Sequence, residues 1–397
     1  MVNQLKLGWI DYSSEHRNKV MAVLHALTAP EAVDELGIGL VRDGFADILF
    51  PGTSTIQTRA KYFFIVPYIL MELEKVSFRS PKDFLNRLGE IEIDLIEVLN
   101  KDGVSGVIGG RAGRKLKRKP SSIYWNGLRT FGILKYDSLS LDNYSKAVFS
   151  MKENRTFAIN SGNEENDDID TASGEYSSTF WRCLLPDPSW KENITMDLSR
   201  EEALYLKERI VKAPKSKDTL FAYLLNQDSS VLQVDTFEQI GEKYQQLPEQ
   251  IQKDYRMANK FSEFISGANI RYNVVLSNGE NENANEKWNE WINSPFVKYE
   301  FHNFDFVEVI NRLQIKNMKL VRFLNNWQQV VASGNDKEID ELIIRREIEL
   351  KSKDRAKLQN SKVYKYEEGN WVGSDKLVYR FPVAKDLMKD IYDGLED

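Results

Sequence analysis

Residues Gly103 to Leu134 read GVSGVIGGRAGRKLKRKPSSIYWNGLRTFGIL: a glycine-rich loop, a basic run and one short helix, in that order. Arg111, Arg114, Lys115, Lys117, Arg118, Lys119 and Arg129 place seven cations here with no acid between them, in a chain of net charge -6. Pro120 is unsuited to a helix interior but suits a helix start. Ser121 is the natural N-cap, its hydroxyl accepting from a free amide of the first turn. The helix then runs from Ser122 to Phe131, and Gly132 supplies the left-handed residue that ends it. On a 3.6-residue period Tyr124, Leu128 and Phe131 share an inward face, while Ser122, Trp125, Asn126 and Arg129 share the outer one. That outer set can donate hydrogen bonds, stack and carry charge, as a helix in a major groove needs. The following Ile133 to Tyr136 can begin the wing of a winged helix. Arg111 to Lys119 would meet phosphates. A solvated basic loop ahead of a purely structural helix fits the same residues.

Outward from this stretch the composition is that of an ordinary globular protein. The 397 residues suggest two or three domains with ample core. Hydrophobic residues make up 42% and aromatic residues 11%, too many for a disordered chain. One cysteine, Cys183, excludes an intrachain disulfide and fits a reducing cytosol. The start, MVNQLKLGWIDYSS, lacks a signal-peptide pattern, and no apolar run is long enough for a membrane span. A cytoplasmic location without membrane contact is the expectation.

Helical periodicity dominates the order of the chain. Ser13 or Ser14 can cap a first helix, and Pro30 opens a second carrying Val33, Leu36 and Leu40, which ends at the Pro51-Gly52 turn. The next piece, TSTIQTRAKYFFIVPYILMELEK, predicts a buried helix entered at Thr53 or Ser54 and kinked at Pro67. Arg59 there either grips a phosphate or, the preferred reading, pairs with Asp43 or Asp47. Helices follow from Ser80-Pro81 and over about 91 to 99. Ser161 to Glu175, SGNEENDDIDTASGE, reads as an acidic loop or linker. It fails as a calcium loop, since Ala172 and Ser173 would fall where an oxygen ligand and a glycine are needed. Ser199-Arg200-Glu201-Glu202 is a capping box for a helix through Leu206 and Ile210. Further helices are predicted over 219–225, 237–244, 249–265, 287–296, 304–313 and 320–331. Strand patterns are confined to Ile270–Leu276 and Lys376–Phe381. The mixed charges of Lys337–Leu358 predict an exposed helix laced with ion pairs, with a second nucleic-acid contact as the alternative.

LGWIDYSSEHRNKV, VDELGIGLVRDGFADILFPGTSTIQTRAKYFFIVPYI and RKPSSIYWNGLRTFGIL, with DELIIRREIELKSKDRAKLQN and LVYRFPVAKDLMKDIYDGL near the C-terminus, resemble an uncharacterised prokaryotic family, a domain of unknown function. FPGTSTIQTRAKYF is the most specific part. The resemblance implies an accessory protein of bacterial defence or mobile-element loci, beside helicase-like and phospholipase-D-like proteins. It carries over no catalytic residue.

Catalytic templates find little. The three histidines, His16, His25 and His302, lie at no metal-binding spacing, and Gly109 to Lys115 departs from the phosphate-loop pattern GxxxxGK[ST]. Asp34, Glu35, Asp43 and Asp47 could form a carboxylate site for magnesium, although pairing with Arg42, Arg59 and Lys61 is simpler. The expectation is therefore a mainly α-helical, two-lobed protein with little β-structure and no cofactor. Residues 1–150 form a lobe ending in a winged-helix-like unit, 151–175 an acidic linker, and 176–397 a second helical lobe. The function expected is non-catalytic binding of nucleic acid, duplex DNA first, within a larger anti-phage assembly that includes a helicase-like or nuclease partner. The contacts would be Arg111, Arg114, Lys115, Lys117, Arg118, Lys119, Ser122, Trp125, Asn126 and Arg129. The rivals are a metal-dependent nuclease and a protein-interaction scaffold.

Overall fold

A computed structural model describes residues 34–100, 103–160, 175–177, 179–360, 364, 366–373 and 375–396. The helix expected near Ser13 and the acidic stretch 161–174 lie outside the described residues. Two compact units emerge, each built from separate pieces of chain: Phe45–Arg256 with Val378–Asp397, and the residues up to Gly44 with Met257–Leu377.

The fold is mainly α. In chain order the helices are α1 (Gly39–Leu49), α2 (Tyr62–Leu73), α3 (Pro81–Leu99), α4 (Pro120–Thr130), α5 (Leu141–Asn160), α6 (Arg200–Lys212), α7 (Leu220–Leu225), α8 (Gln239–Lys243), α9 (Glu249–Leu276), α10 (Glu282–Ile292), α11 (Pro295–Tyr299), α12 (Phe306–Arg312), α13 (Met318–Ser333), α14 (Asp336–Lys351) and α15 (Phe381–Glu396). Among the described residues the one sheet is an antiparallel pair, β1 (Glu175–Ser177) with β2 (Arg182–Leu184), in the register Tyr176 to Cys183.

In the first unit α2 is central. Apart from Glu72, every residue from Tyr62 to Leu73 is buried, Pro67 included. A helix apolar on all sides requires neighbours on all sides, and α2 is packed by α3, α4 and β2. The contact with α4 is closest at Gly127, where a Cβ would lie 2.6 Å from the Phe63 ring and 2.7 Å from the Gly52 carbonyl oxygen. α5 covers α3, and α6 lies on α15. Phe50 joins this core edge-on to Phe221 and Phe237. The capping box holds as expected, with the Ser199 hydroxyl accepting from Glu202 N–H and the Glu202 carboxylate accepting from Ser199 N–H.

Two of the expected elements are not formed as predicted. The predicted helix from Thr53 begins only at Tyr62, because residues 51–61 form an irregular strap. Its polar groups find local partners: Gln57 donates to the Gly52 carbonyl and accepts from Ser54 N–H, and Thr53 donates to the Phe50 carbonyl. The expected strand Lys376–Phe381 is also absent. Its middle is a turn in which Tyr379 and Arg380 take φ of 49° and 66°, a conformation no strand accommodates.

In the second unit Ile270–Leu276 is not a strand but the last two turns of α9. Its β-branched and aromatic residues invite a strand reading. Burial overrides it, since Tyr272 donates from its hydroxyl to the buried Glu347 carboxylate at 2.7 Å. Arg271 bonds Asp340 with two nitrogens, at 2.6 and 3.0 Å. The mixed-charge helix α14 is accordingly more than a solvated face. Arg346 is buried and donates to the Leu36 carbonyl, while Lys351 pairs with Glu347 and Glu35. Both cations thus have partners within their own unit.

The close approach of α2 and α4 gives a direct test. Gly127→Ala should force Phe63 and the Gly52 backbone apart and lower stability by about 1–3 kcal/mol, the usual cost of overpacking. Urea unfolding followed by tryptophan fluorescence would measure it.

Candidate nucleic-acid interface

The glycine-rich segment is braced from beneath by the strap that leads into α2. The Thr58 hydroxyl donates to the Gly106 carbonyl at 2.5 Å, and the Tyr62 hydroxyl accepts from Ile108 N–H at 2.8 Å. Gly106 has φ +83°, and a Cβ there would meet the Arg59 side chain at 2.6 Å. Only glycine satisfies both demands. The strap itself is held by the buried Tyr124 of α4, whose hydroxyl accepts from Thr58 and Arg59 N–H and donates to the Arg59 carbonyl. The most specific motif of the sequence thus carries a structural duty: it fixes the loop from which the basic residues emerge.

Arg59 is ion-paired, as preferred, but with other partners than Asp43 or Asp47. It bonds Asp390 at 2.8 Å and Asp197 at 2.7 Å, while Asp390 also accepts from Ala60 N–H at 2.6 Å. Lys61 pairs with Glu202 at 2.6 Å. Asp47 instead meets Arg380, and Asp43 its neighbour Arg42. Sequence distance hid the partners of Arg59 and Lys61, which lie more than a hundred positions away. The suggested carboxylate set is dispersed in role as well. Asp34 accepts from three amides at the start of α1, and Glu35 pairs with Lys351 and Lys357. Among the described residues no three His, Cys, Asp or Glu side chains group as metal ligands. Cys183 is fully buried, and that burial pushes its thiol well above the usual range, so it stays protonated.

The ten residues singled out by sequence fall into two classes. Arg111, Arg114, Lys115, Lys117 and Arg118 are exposed, as are Ser122 and Asn126 on α4. Arg114 has a partner, Asp94 at 3.5 Å with both side chains mostly exposed, a pair worth little in water. The other four cations have no carboxylate partner among the described residues. Trp125, Arg129 and Lys119 are drawn inward. Trp125 is only 7% exposed; its indole donates to the Leu139 carbonyl at 2.8 Å and its ring stands edge-on to Tyr144 and Trp181. Arg129 donates to the Asp137 carbonyl, and burial holds its guanidinium below the usual value. The turn leading into α5 covers both, a tertiary contact that helical periodicity does not contain. Tyr124, Leu128 and Phe131 are fully buried, and Gly132 takes φ +64°, both as expected. Ile133–Lys135 pair with Phe180–Arg182 through Lys135 N–H to Phe180, Arg182 N–H to Ile133 and the Leu134–Trp181 bridge. They do not form a hairpin with the residues next in sequence.

Ser121 is not the N-cap. Lys119 takes that position, and Ser121 lies buried in the first turn of α4. Its N–H and hydroxyl both donate to the carboxylate of Glu92 on α3, at 2.5 and 3.0 Å. The first N–H groups of α4 are therefore filled, Ser122 and Ile123 both donating to the Lys119 carbonyl. A helix start attracts anions, and here an internal carboxylate occupies it. Glu92 is 3% exposed and borders an apolar recess lined by Tyr62, Ile65, Leu95 and Ile108. Burial pushes its carboxyl up to about 7, against the opposing pull of the Ser121 hydrogen bonds and the Lys119 charge. Nothing in the run EIEIDLIEV distinguishes Glu92 from Glu90; only the position of α4 does.

The chain belongs to DUF6361, a family of unknown function, whose model matches residues 5–294. The match takes in the strap, the basic segment and α4, and it ends before the charged stretch of α14. No curated protein and no solved structure matches the chain.

Two outcomes follow from the buried charges. Arg59→Ala leaves Asp390 buried without its cation and should cost about 1–3 kcal/mol in urea unfolding. For Glu92 the folded carboxyl holds its proton to higher pH than the unfolded one. The folded state therefore binds more protons between the ordinary value of 4.5 and about 7, and stability falls as pH rises through that window. Glu92→Gln should remove about 3 kcal/mol of that fall, so the variant gains on the wild type in unfolding experiments between about pH 5 and pH 8.

Proposed function

We propose that this member of DUF6361 binds nucleic acid, with duplex DNA the preferred form, as a non-catalytic component of a larger prokaryotic assembly. The observation that carries this is the segment Arg111–Arg118. Five exposed cations stand on a loop braced at Gly106 and Ile108, with Asp94 as their one acidic partner among the described residues, in a chain that is acidic overall. A braced loop loses less conformational freedom on meeting a polyanion than a mobile one. Arg111, Arg114, Lys115, Lys117 and Arg118 contact phosphates, which position without reading sequence. Ser122 and Asn126, exposed on α4 beside them, are the groups available for base edges. Trp125 is buried and the half-buried Arg129 is engaged by the Asp137 carbonyl, so the proposal rests on neither, and it needs no winged helix. The place in anti-phage defence, with a helicase-like or nuclease partner, follows from the resemblance of the sequence motifs to accessory proteins of such loci. No observation favours the carboxylate nuclease as a second reading.

The test replaces Arg111, Arg114, Lys115, Lys117 and Arg118 together with Gln and follows duplex binding across salt concentrations. The log–log slope should flatten by about 0.9 for each phosphate that is no longer neutralised, with affinity reduced alike for every sequence. Asn126→Ala should instead alter preference between sequences, by up to about 1–3 kcal/mol if the amide makes a bidentate pair. Unchanged binding in the five-fold variant would overturn the proposal and leave the interaction scaffold as the better reading.

A further inference from the structure

Lys119 is the one cation of the basic run that the fold turns back on itself. Its ammonium lies on α3 at Gly89, so close that a Cβ there would be 1.8 Å from Nζ. Gly89 and Glu92 are three residues apart on α3 and share a face, and the Lys119 charge acts on the Glu92 carboxylate. The carboxylate in turn holds both polar groups of Ser121 at the start of α4. Lys119 therefore has two competing claims on it, an internal anion and any phosphate arriving at Arg111–Arg118.

We propose that Glu92 is a positioning residue for the basic segment: an internal anion that keeps Lys119 against α3 while ionised and yields it to an external phosphate when protonated. Binding of a polyanion then takes up a proton. No bond other than O–H is made: the Lys119 side chain exchanges one anion for another, and Glu92 draws its proton from solvent. This deepens the nucleic-acid reading and rests on it for the identity of the external anion.

The surroundings of Glu92 leave Lys119 as its charged neighbour. From α2 it is met by Tyr62, whose phenol burial holds at about 12 and which stays neutral. From the turn Gly113–Lys115, Arg114 is directed to Asp94 and Lys115 is exposed. From α5, Lys146 is engaged by Asp142 at the surface. Glu92 titrates near neutrality because it is desolvated, so the exchange falls where modest changes in pH operate it. Gly89 is part of the device, since any larger residue would occupy the resting place of the Lys119 ammonium.

The experiment has two arms, both on the full chain. In the first, carbon-13 NMR follows the Glu92 carboxyl through a pH titration. A midpoint near 7 that rises in both Lys119→Gln and Gly89→Ala supports the proposal; a midpoint unmoved by either overturns it. Gly89→Ala displaces only the flexible end of Lys119 and removes a glycine from a helix interior, so it is expected to fold. In the second arm, the salt dependence of binding to a 20-base-pair duplex is compared at pH 8 and pH 6. Glu92→Gln and Gly89→Ala should each be steeper than the wild type at pH 8 by about 0.9, the increment for one further neutralised phosphate. The wild type should approach them at pH 6. Equal slopes in all three proteins at pH 8 overturn the proposal. A wild type that binds no duplex at either pH overturns the nucleic-acid reading instead, and the titration alone then decides the coupling of Lys119 to Glu92.

Discussion

Helix α2 is buried on nearly every side, and the polar strap feeding into it must therefore find its partners inside the protein. Buried polar groups left unpaired are costly, and this constraint organises the unit around them. Arg59 reaches Asp390 of α15 and Asp197, Lys61 reaches Glu202 in the capping box of α6, and the Tyr124 hydroxyl of α4 gathers the strap backbone. One eleven-residue strap, 51–61, so ties together α4, α6 and the C-terminal α15. The aromatic core around Phe50, Phe63 and Phe131 fills the space between them.

The same strap positions the outer charges. Thr58 and Tyr62 fix Gly106 and Ile108, and the next residues emerge as an exposed basic run. Inside, each cation of the strap is matched by a carboxylate; outside, the cations outnumber their acidic neighbours. The contrast supports the proposed contact with phosphates, because an internally paired guanidinium would have to lose its partner before meeting one. Glu92 stands between the two regimes. It is buried among apolar side chains, yet it serves the start of α4 and bears on the last lysine of the basic run.

The sequence by itself determined whatever depends on neighbours within one or two turns. The inward set Tyr124, Leu128 and Phe131, the left-handed Gly132, the turn at Pro51-Gly52 and the capping box at Ser199 are all local geometry, and the mainly helical class is their sum. That Arg59 would be ion-paired was legible too, since an arginine next to a buried helix cannot stay alone. The exposed cations Arg111 to Arg118 were legible as a run of like charge.

Tertiary structure decided the rest, wherever a distant element outweighed local preference. Trp125 sits on the outer arc of α4 by periodicity, but the turn before α5 covers its part of that arc and takes its N–H, while Ser122 and Asn126 stay exposed. Ser121 has the chemistry of an N-cap, yet Glu92 from another helix claims both of its donors. Ile270–Leu276 has strand propensity, and the burial of Arg271, Tyr272 and Asn273 on a long helix overrules it. Arg59 chose Asp390 because α15, 331 residues later, brings a carboxylate under the strap. Periodicity fixes which way a side chain leaves its own helix, but what meets it there depends on packing between segments that share no sequence proximity.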